Sequence, residues 1–147
     1  MTLLPRSGRL LALDWGEIRI GLAASDETQL LASPLDTLTR RAGKRLPMPA
    51  LLELVTRHDI VGLLVGLPLT PEGDEGDAAR DARAMGELVA GRTGLPVEYW
   101  DERMTTARAL RSIQEQGGST RGRKEDVDAL AAAVLLQGYL DARRAIR

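Results

Sequence analysis

The 147-residue chain contains neither cysteine nor phenylalanine. Without thiols it has no disulfide, no thiolate metal site and no cysteine nucleophile, a composition suited to a reducing compartment. It has a single histidine, His58, and no G-x-S-x-G elbow, so neither a paired-histidine metal site nor a Ser-His-Asp triad can be assembled. His58 reads instead as a surface residue ending a helix. Aromatics are only 3%, namely Trp15, Tyr99, Trp100 and Tyr139, too few for extensive base stacking. Neither sign of charge dominates, with 20 Lys and Arg against 21 Asp and Glu and a net charge of −1. The longest apolar run, Ile60–Leu69, is too short to span a bilayer. The opening "MTLLPRSGRLLALDW" has no basic start followed by a cleavable apolar stretch. The expectation is a cytoplasmic protein with no membrane partner.

What is present suits one globular domain over residues 1–147, with 44% apolar residues available for a core. "RLLALDW" (Arg9–Trp15) and "IRIGLAAS" (Ile18–Ser25) read as two strands of a hairpin, with Gly16 free to take a positive φ in the turn. "LLASPLDTLT" (Leu30–Thr39) reads as a third strand, set at an edge or bulge by Pro34. Met48–His58 has helical periodicity. Ile60–Gly66 is a continuous apolar run typical of a strand buried on both faces. Asp77–Gly91 is an Ala-rich helix ending at a glycine, and Leu95–Trp100 is a fifth strand. Thr105–Gly118 reads as a helix, Ser119–Lys124 as a basic loop, and Glu125–Ala145 as a long last helix. The order β-β-β-α-β-α-β-α-α predicts an α/β fold. Its five-stranded mixed sheet, antiparallel on one side and parallel on the other, has helices on both faces.

Carboxylates stand at three informative places. Asp14 ends the first strand, Asp101 and Glu102 end the last, and Asp126 and Asp128 open the final helix. Strand ends and helix N-termini line the binding crevice of such sheets. Acids gathered there repel one another unless they share divalent cations. Each also has a simpler reading. Asp14 fits a turn, the Asp101–Glu102 pair an exposed strand end, and Asp126 and Asp128 the positive end of a helix dipole. Asp128 lies along the apolar face of its helix with Ala131 and Leu135, and Asp126 is better placed to cap. Backbone amides in "GLPLTPEGDEG" (Gly66–Gly76) could meet a phosphate or simply turn the chain.

The segments "DWGEIRIGLAASD", "GLPLTPEGDEG", "DERMTTARA" and "DVDALAAAVLLQGYL" together resemble the YqgF family, also called RuvX, the Holliday-junction-resolvase-like family. They occur in the family's order and span nearly the whole chain. The resemblance implies a ribonuclease-H-like fold and a bacterial nuclease that processes the 5′ end of pre-16S rRNA. Asp14, Glu102 and Asp128 match the family's acidic set, and the resemblance, not the spacing, selects Glu102 over Asp101. It implies metal-assisted phosphodiester hydrolysis with two Mg2+ or Mn2+ ions held by these acids. It further implies nucleic-acid contacts from Gly16, Arg19, Arg103, Thr106, Arg121, Arg123 and Lys124. RNA is the favoured partner and branched DNA the second.

Three rivals remain. A Holliday junction resolvase would share the fold and acids but needs a homodimer with two sites. "LDWGEIRIG" is also similar to the phosphate loop of actin-like and sugar-kinase ATPases, which need two copies of the fold where this chain has room for one. A non-catalytic nucleic-acid-binding module would not require all three acids.

Overall fold

A computed structural model of the chain describes residues 4–41, 45–104 and 124–145. The strands are β1 (Arg9–Trp15), β2 (Arg19–Ser25), β3 (Ala32–Thr39), β4 (Ile60–Leu67) and β5 (Val97–Asp101). The helices are α1 (Met48–Arg57), α2 (Asp77–Thr93) and α3 (Lys124–Ala145), and a single 3-10 turn, Glu102–Met104, follows β5. The sheet order is β3-β2-β1-β4-β5. β1 pairs antiparallel with β2, and β2 with β3, whereas β1–β4 and β4–β5 are parallel. This is the mixed sheet that the order of elements implies. The expected helix Thr105–Gly118 and the loop residues 119–123 lie outside the described residues.

Side-chain alternation divides the sheet into two cores. Leu11, Leu13, Ile20, Leu22, Leu63 and Val65 pack on one face with Leu51 and Leu54 of α1 and Ala79, Ala82 and Val89 of α2. Leu10, Ala12, Ala23 and Leu64 pack on the other with Ala131, Ala132, Leu135, Leu136 and Tyr139 of α3. Burying large aliphatic side chains in this way is the main stabilising term, about 1.5–3 kcal/mol for each one fully removed from water. Glycine opens a close approach on the α3 face. A Cβ on Gly21 would stand 2.0 Å from the carbonyl oxygen of Asp128, so the α3 backbone rests directly on β2.

Several boundaries shift for identifiable reasons. β3 begins at Ala32 rather than Leu30, because the Asp26 carboxylate accepts hydrogen bonds from the amides of Leu30 (2.9 Å) and Leu31 (3.0 Å) and holds them in a turn. Pro34 sits in the edge strand at a register break, where Leu22 pairs with Asp36 and Ala23 with Pro34. α2 runs through Gly91 and stops at Gly94, whose φ of 76° is left-handed and whose N–H bonds Ala90 O at 2.8 Å. Gly16 does not adopt a positive φ. Glycine is needed there because its N–H bonds Arg19 O at 3.0 Å, leaving a Cβ only 2.6 Å from the same oxygen. His58 caps α1, its N–H reaching Leu54 O at 3.0 Å. Among the described residues no helix is long and apolar enough to cross a membrane.

Candidate active site

Asp14 follows Leu10 and Ala12 in the alternation of β1 and so belongs to the α3 face, where it is 3% exposed. Its register partner on β2 is Gly21. On the other side Leu13 pairs with Val65, which puts Gly66 next to Asp14 along β4. Two positions without side chains therefore flank the buried carboxylate. Each vacancy is filled by another acid-bearing residue. The Asp128 backbone covers Gly21, and the Glu102 side chain covers Gly66, with its Oε2 3.0 Å from where a Cβ would stand. Glu102 is also 3% exposed. Three remote parts of the chain thus bring acids to one end of one sheet face.

The 3-10 turn explains why alternation along β5 could not separate Asp101 from Glu102. Asp101 is the last strand residue, and its carboxylate takes Arg103 Nη2 at 2.7 Å and Arg103 Nε at 3.1 Å. The turn then swings Glu102 inward over Gly66. Arg103 Nη1 also reaches Pro71 O at 3.3 Å, so this guanidinium fastens the strand end to the turn after β4. In that turn the amide of Gly73 bonds Thr70 O (2.8 Å) and that of Asp74 bonds Thr70 Oγ1 (3.0 Å). Both amides serve the turn itself.

Arg19 and Gly21 lie two apart on β2 and share the α3 face, while Ile20 enters the opposite core. Gly21 admits the Asp128 backbone, and Arg19 Nε donates to Asp128 Oδ2 at 2.6 Å. The two side chains are 24% and 16% exposed, so solvent screens the pair only in part. A hydrogen bond to a charged group of this kind contributes about 1.5–3 kcal/mol. Among the described residues no three acidic or histidine side chains stand as a ready-made ion cage. The donor set nonetheless suits a hard divalent cation. It consists of carboxylate oxygens, and Gly21 and Gly66 leave room for them to approach Asp14.

Of the other expected nucleic-acid contacts, Gly16 shapes the β1–β2 turn and Lys124 is the first residue of α3. Thr106, Arg121 and Arg123 lie outside the described residues. A feature without a signal in the sequence lies across the hairpin from Asp14. Arg40 stacks 3.9 Å from the centre of the Trp15 ring, bonds Gly16 O at 2.9 Å and pairs with Asp81 at 3.2 Å. Trp15 Nε1 donates to the same Asp81 carboxylate at 2.5 Å. Beside them is a cavity of about 910 Å3, whose lining includes Trp15, Arg40, Asp81, Met85 and Leu88 and none of the three acids.

Residues 8–142 match the model of the RuvX family, described as Holliday junction resolvase. A protein of Ruegeria sp. named "Putative pre-16S rRNA nuclease" is 41% identical over 144 residues, covering 98% of this chain and 91% of the relative. A protein of the same name from Anaeromyxobacter sp. is 43% identical over 137 residues, covering 93% and 99%. Among solved structures, Thermus thermophilus RuvC superposes with a TM-score of 0.57 at 17% identity, covering 93% of this chain and 96% of that one. RuvC in complex with a Holliday junction substrate gives a TM-score of 0.56 at 18% identity, with the same coverage. These likenesses establish the ribonuclease-H-like fold, and the family match and close relatives place the chain within the RuvX family.

Proposed function

We propose that this chain is a cytoplasmic metal-dependent nuclease, one domain over residues 1–147, that hydrolyses phosphodiester bonds in maturing the 5′ end of pre-16S rRNA. The observation that carries the reading is the placement of Asp14 and Glu102, both buried, at one end of the α3 face, with Asp128 docked on Gly21 beside them. The names of relatives at 41% and 43% identity support the substrate.

Asp14 is the central ligand in this reading, with Glu102 and Asp128 on either side, and the set takes two Mg2+ or Mn2+ ions. When bound, the ions supply Lewis acidity that lowers the pKa of water and neutralises charge on the departing 3′ oxygen. The protein's own part is orientation. Packing under α3 fixes Asp14 and Glu102 and keeps bulk water away from them. Arg19, Arg103 and Lys124 supply positive charge for the phosphates on either side of the cut.

The test is cleavage of a pre-16S rRNA fragment, an unrelated single-stranded RNA and a synthetic four-way DNA junction, with Mg2+, with Mn2+ and after chelation. The wild type is expected to cut the precursor at its 5′ flank only with metal, and Asp14→Asn is expected to leave only background cleavage. Symmetric cuts in the junction without RNA cleavage would replace this reading by the resolvase, which requires a homodimer. That alternative is favoured by the description of the family model. Undiminished cutting by Asp14→Asn would remove Asp14 from the mechanism, and binding without any cutting would leave a nucleic-acid-binding module.

A further inference from the structure

Several of the described arginines are locked by more than one partner. Arg40 is fixed by Gly16 O, Asp81 and the Trp15 ring. Arg143 bonds Tyr139 Oη and the carbonyls of Leu4 and Pro5. Arg103 is fixed by both oxygens of Asp101 and by Pro71 O. Each is locked by several partners on separate groups. Arg19 is different. A guanidinium has five N–H donors, and Arg19 uses only Nε, on a single oxygen of Asp128. Among the described residues its terminal nitrogens make no further bond. The Asp128 backbone is held separately from this contact, being seated on Gly21.

We infer that Arg19 is an exchangeable counter-ion of Asp128, which it surrenders when a divalent cation enters, and that the released guanidinium then serves the substrate phosphate. The inference rests on the metal reading proposed above. Arg19 holds one oxygen of the carboxylate that the ion needs, so the two compete for its charge. A guanidinium and a divalent ion crowded onto one carboxylate repel each other, and the ion has the added attraction of Asp14 and Glu102, each 3% exposed. Arg19 thus weakens metal binding in the resting protein and couples it to substrate binding. Metal at Asp128 is what makes the phosphate contact available.

Calorimetric titration of Mn2+ into the metal-free protein, with no nucleic acid present, tests this. Arg19→Gln removes the competing charge and is expected to bind Mn2+ about tenfold more tightly than the wild type, a difference of about 1.4 kcal/mol. Arg103→Gln removes a cation next to Glu102 without touching Asp128, and is expected to change the affinity less than about twofold by its general field alone. Arg19→Lys keeps the charge but loses Nε and should fall between wild type and Arg19→Gln, which also serves if Arg19→Gln does not fold by circular dichroism. Mn2+ affinity unchanged or weakened in the Arg19 variants overturns the exchange, as does an equal tightening by Arg103→Gln. Absence of Mn2+ binding in every one of these proteins overturns the metal reading beneath it.

Discussion

The two faces of the sheet are built from different materials. One is lined by Leu, Ile and Val and covered by two helices. The other is rich in Ala and Gly and covered by α3. Large side chains fill the space between layers and stabilise it by burial, but they hold the layers apart. Small ones forfeit that burial and let a helix backbone approach to contact. The face that lies closest to its helix is the one where Asp14 and Glu102 are buried and Asp128 is seated. On the proposed reading, stability and chemistry are divided between opposite sides of the same five strands.

Gly21→Ala is the sharpest way to break that division. The new Cβ would meet Asp128 O at 2.0 Å, and the obstacle is backbone, so α3 must lift. The expected cost is about 3 kcal/mol or more, at the upper end for overpacking, with loss of nuclease activity even where the protein remains folded. Denaturant titration and RNA cleavage would measure the two together. Leu51→Ala on α1, 0% exposed in the aliphatic core, should cost about 2–4 kcal/mol through the cavity it leaves. It should leave kcat within about twofold of wild type below its melting temperature, since a distant core contact is not part of the chemistry. If Leu51→Ala abolished cleavage at full folding, the division between faces would be wrong.

The smallest effect is expected at the Asp26 turn. Its carboxyl is lowered from 3.8 to about 2, first by the hydroxyl of Thr28 and then by the amide hydrogen bonds of Leu31 and Leu30. A carboxylate with a depressed folded-state pKa contributes stability above the unfolded value of 3.8 and loses it as pH falls through about 2. The group faces solvent, so the contribution is well below about 1 kcal/mol. Thermal melts from pH 2 to pH 7 should show Asp26→Asn slightly less stable near neutrality and level with the wild type at the acid end. A constant difference at every pH would mean that the turn depends on shape rather than charge.

β1, β2 and β4 were legible because each is a largely apolar run of strand length, and Asp14 stood out as an acid ending such a run. Arg19 was visible only as a nucleic-acid contact implied by the resemblance; its bond to Asp128 and the close approach at Gly21 were not, because they depend on α3 packing across β2. Gly66 gave no sign of being a seat for Glu102, since glycine between a strand and a Pro-rich turn reads as punctuation. Periodicity also fails at Glu102, where a single 3-10 turn replaces the two-residue repeat. The expected stop of α2 at Gly91 is moved to Gly94 for a related reason. Glycine permits a left-handed cap without requiring one, and helix packing decides which is used.

Arg19 and Asp128 are 109 residues apart in sequence. β1 and β2 leave the ribosome early, and the small-residue face waits bare until α3 has been made. On the proposed reading an unfinished chain has two of its acids and no complete site. On that reading the site is complete only once α3 has been made and has docked on β2.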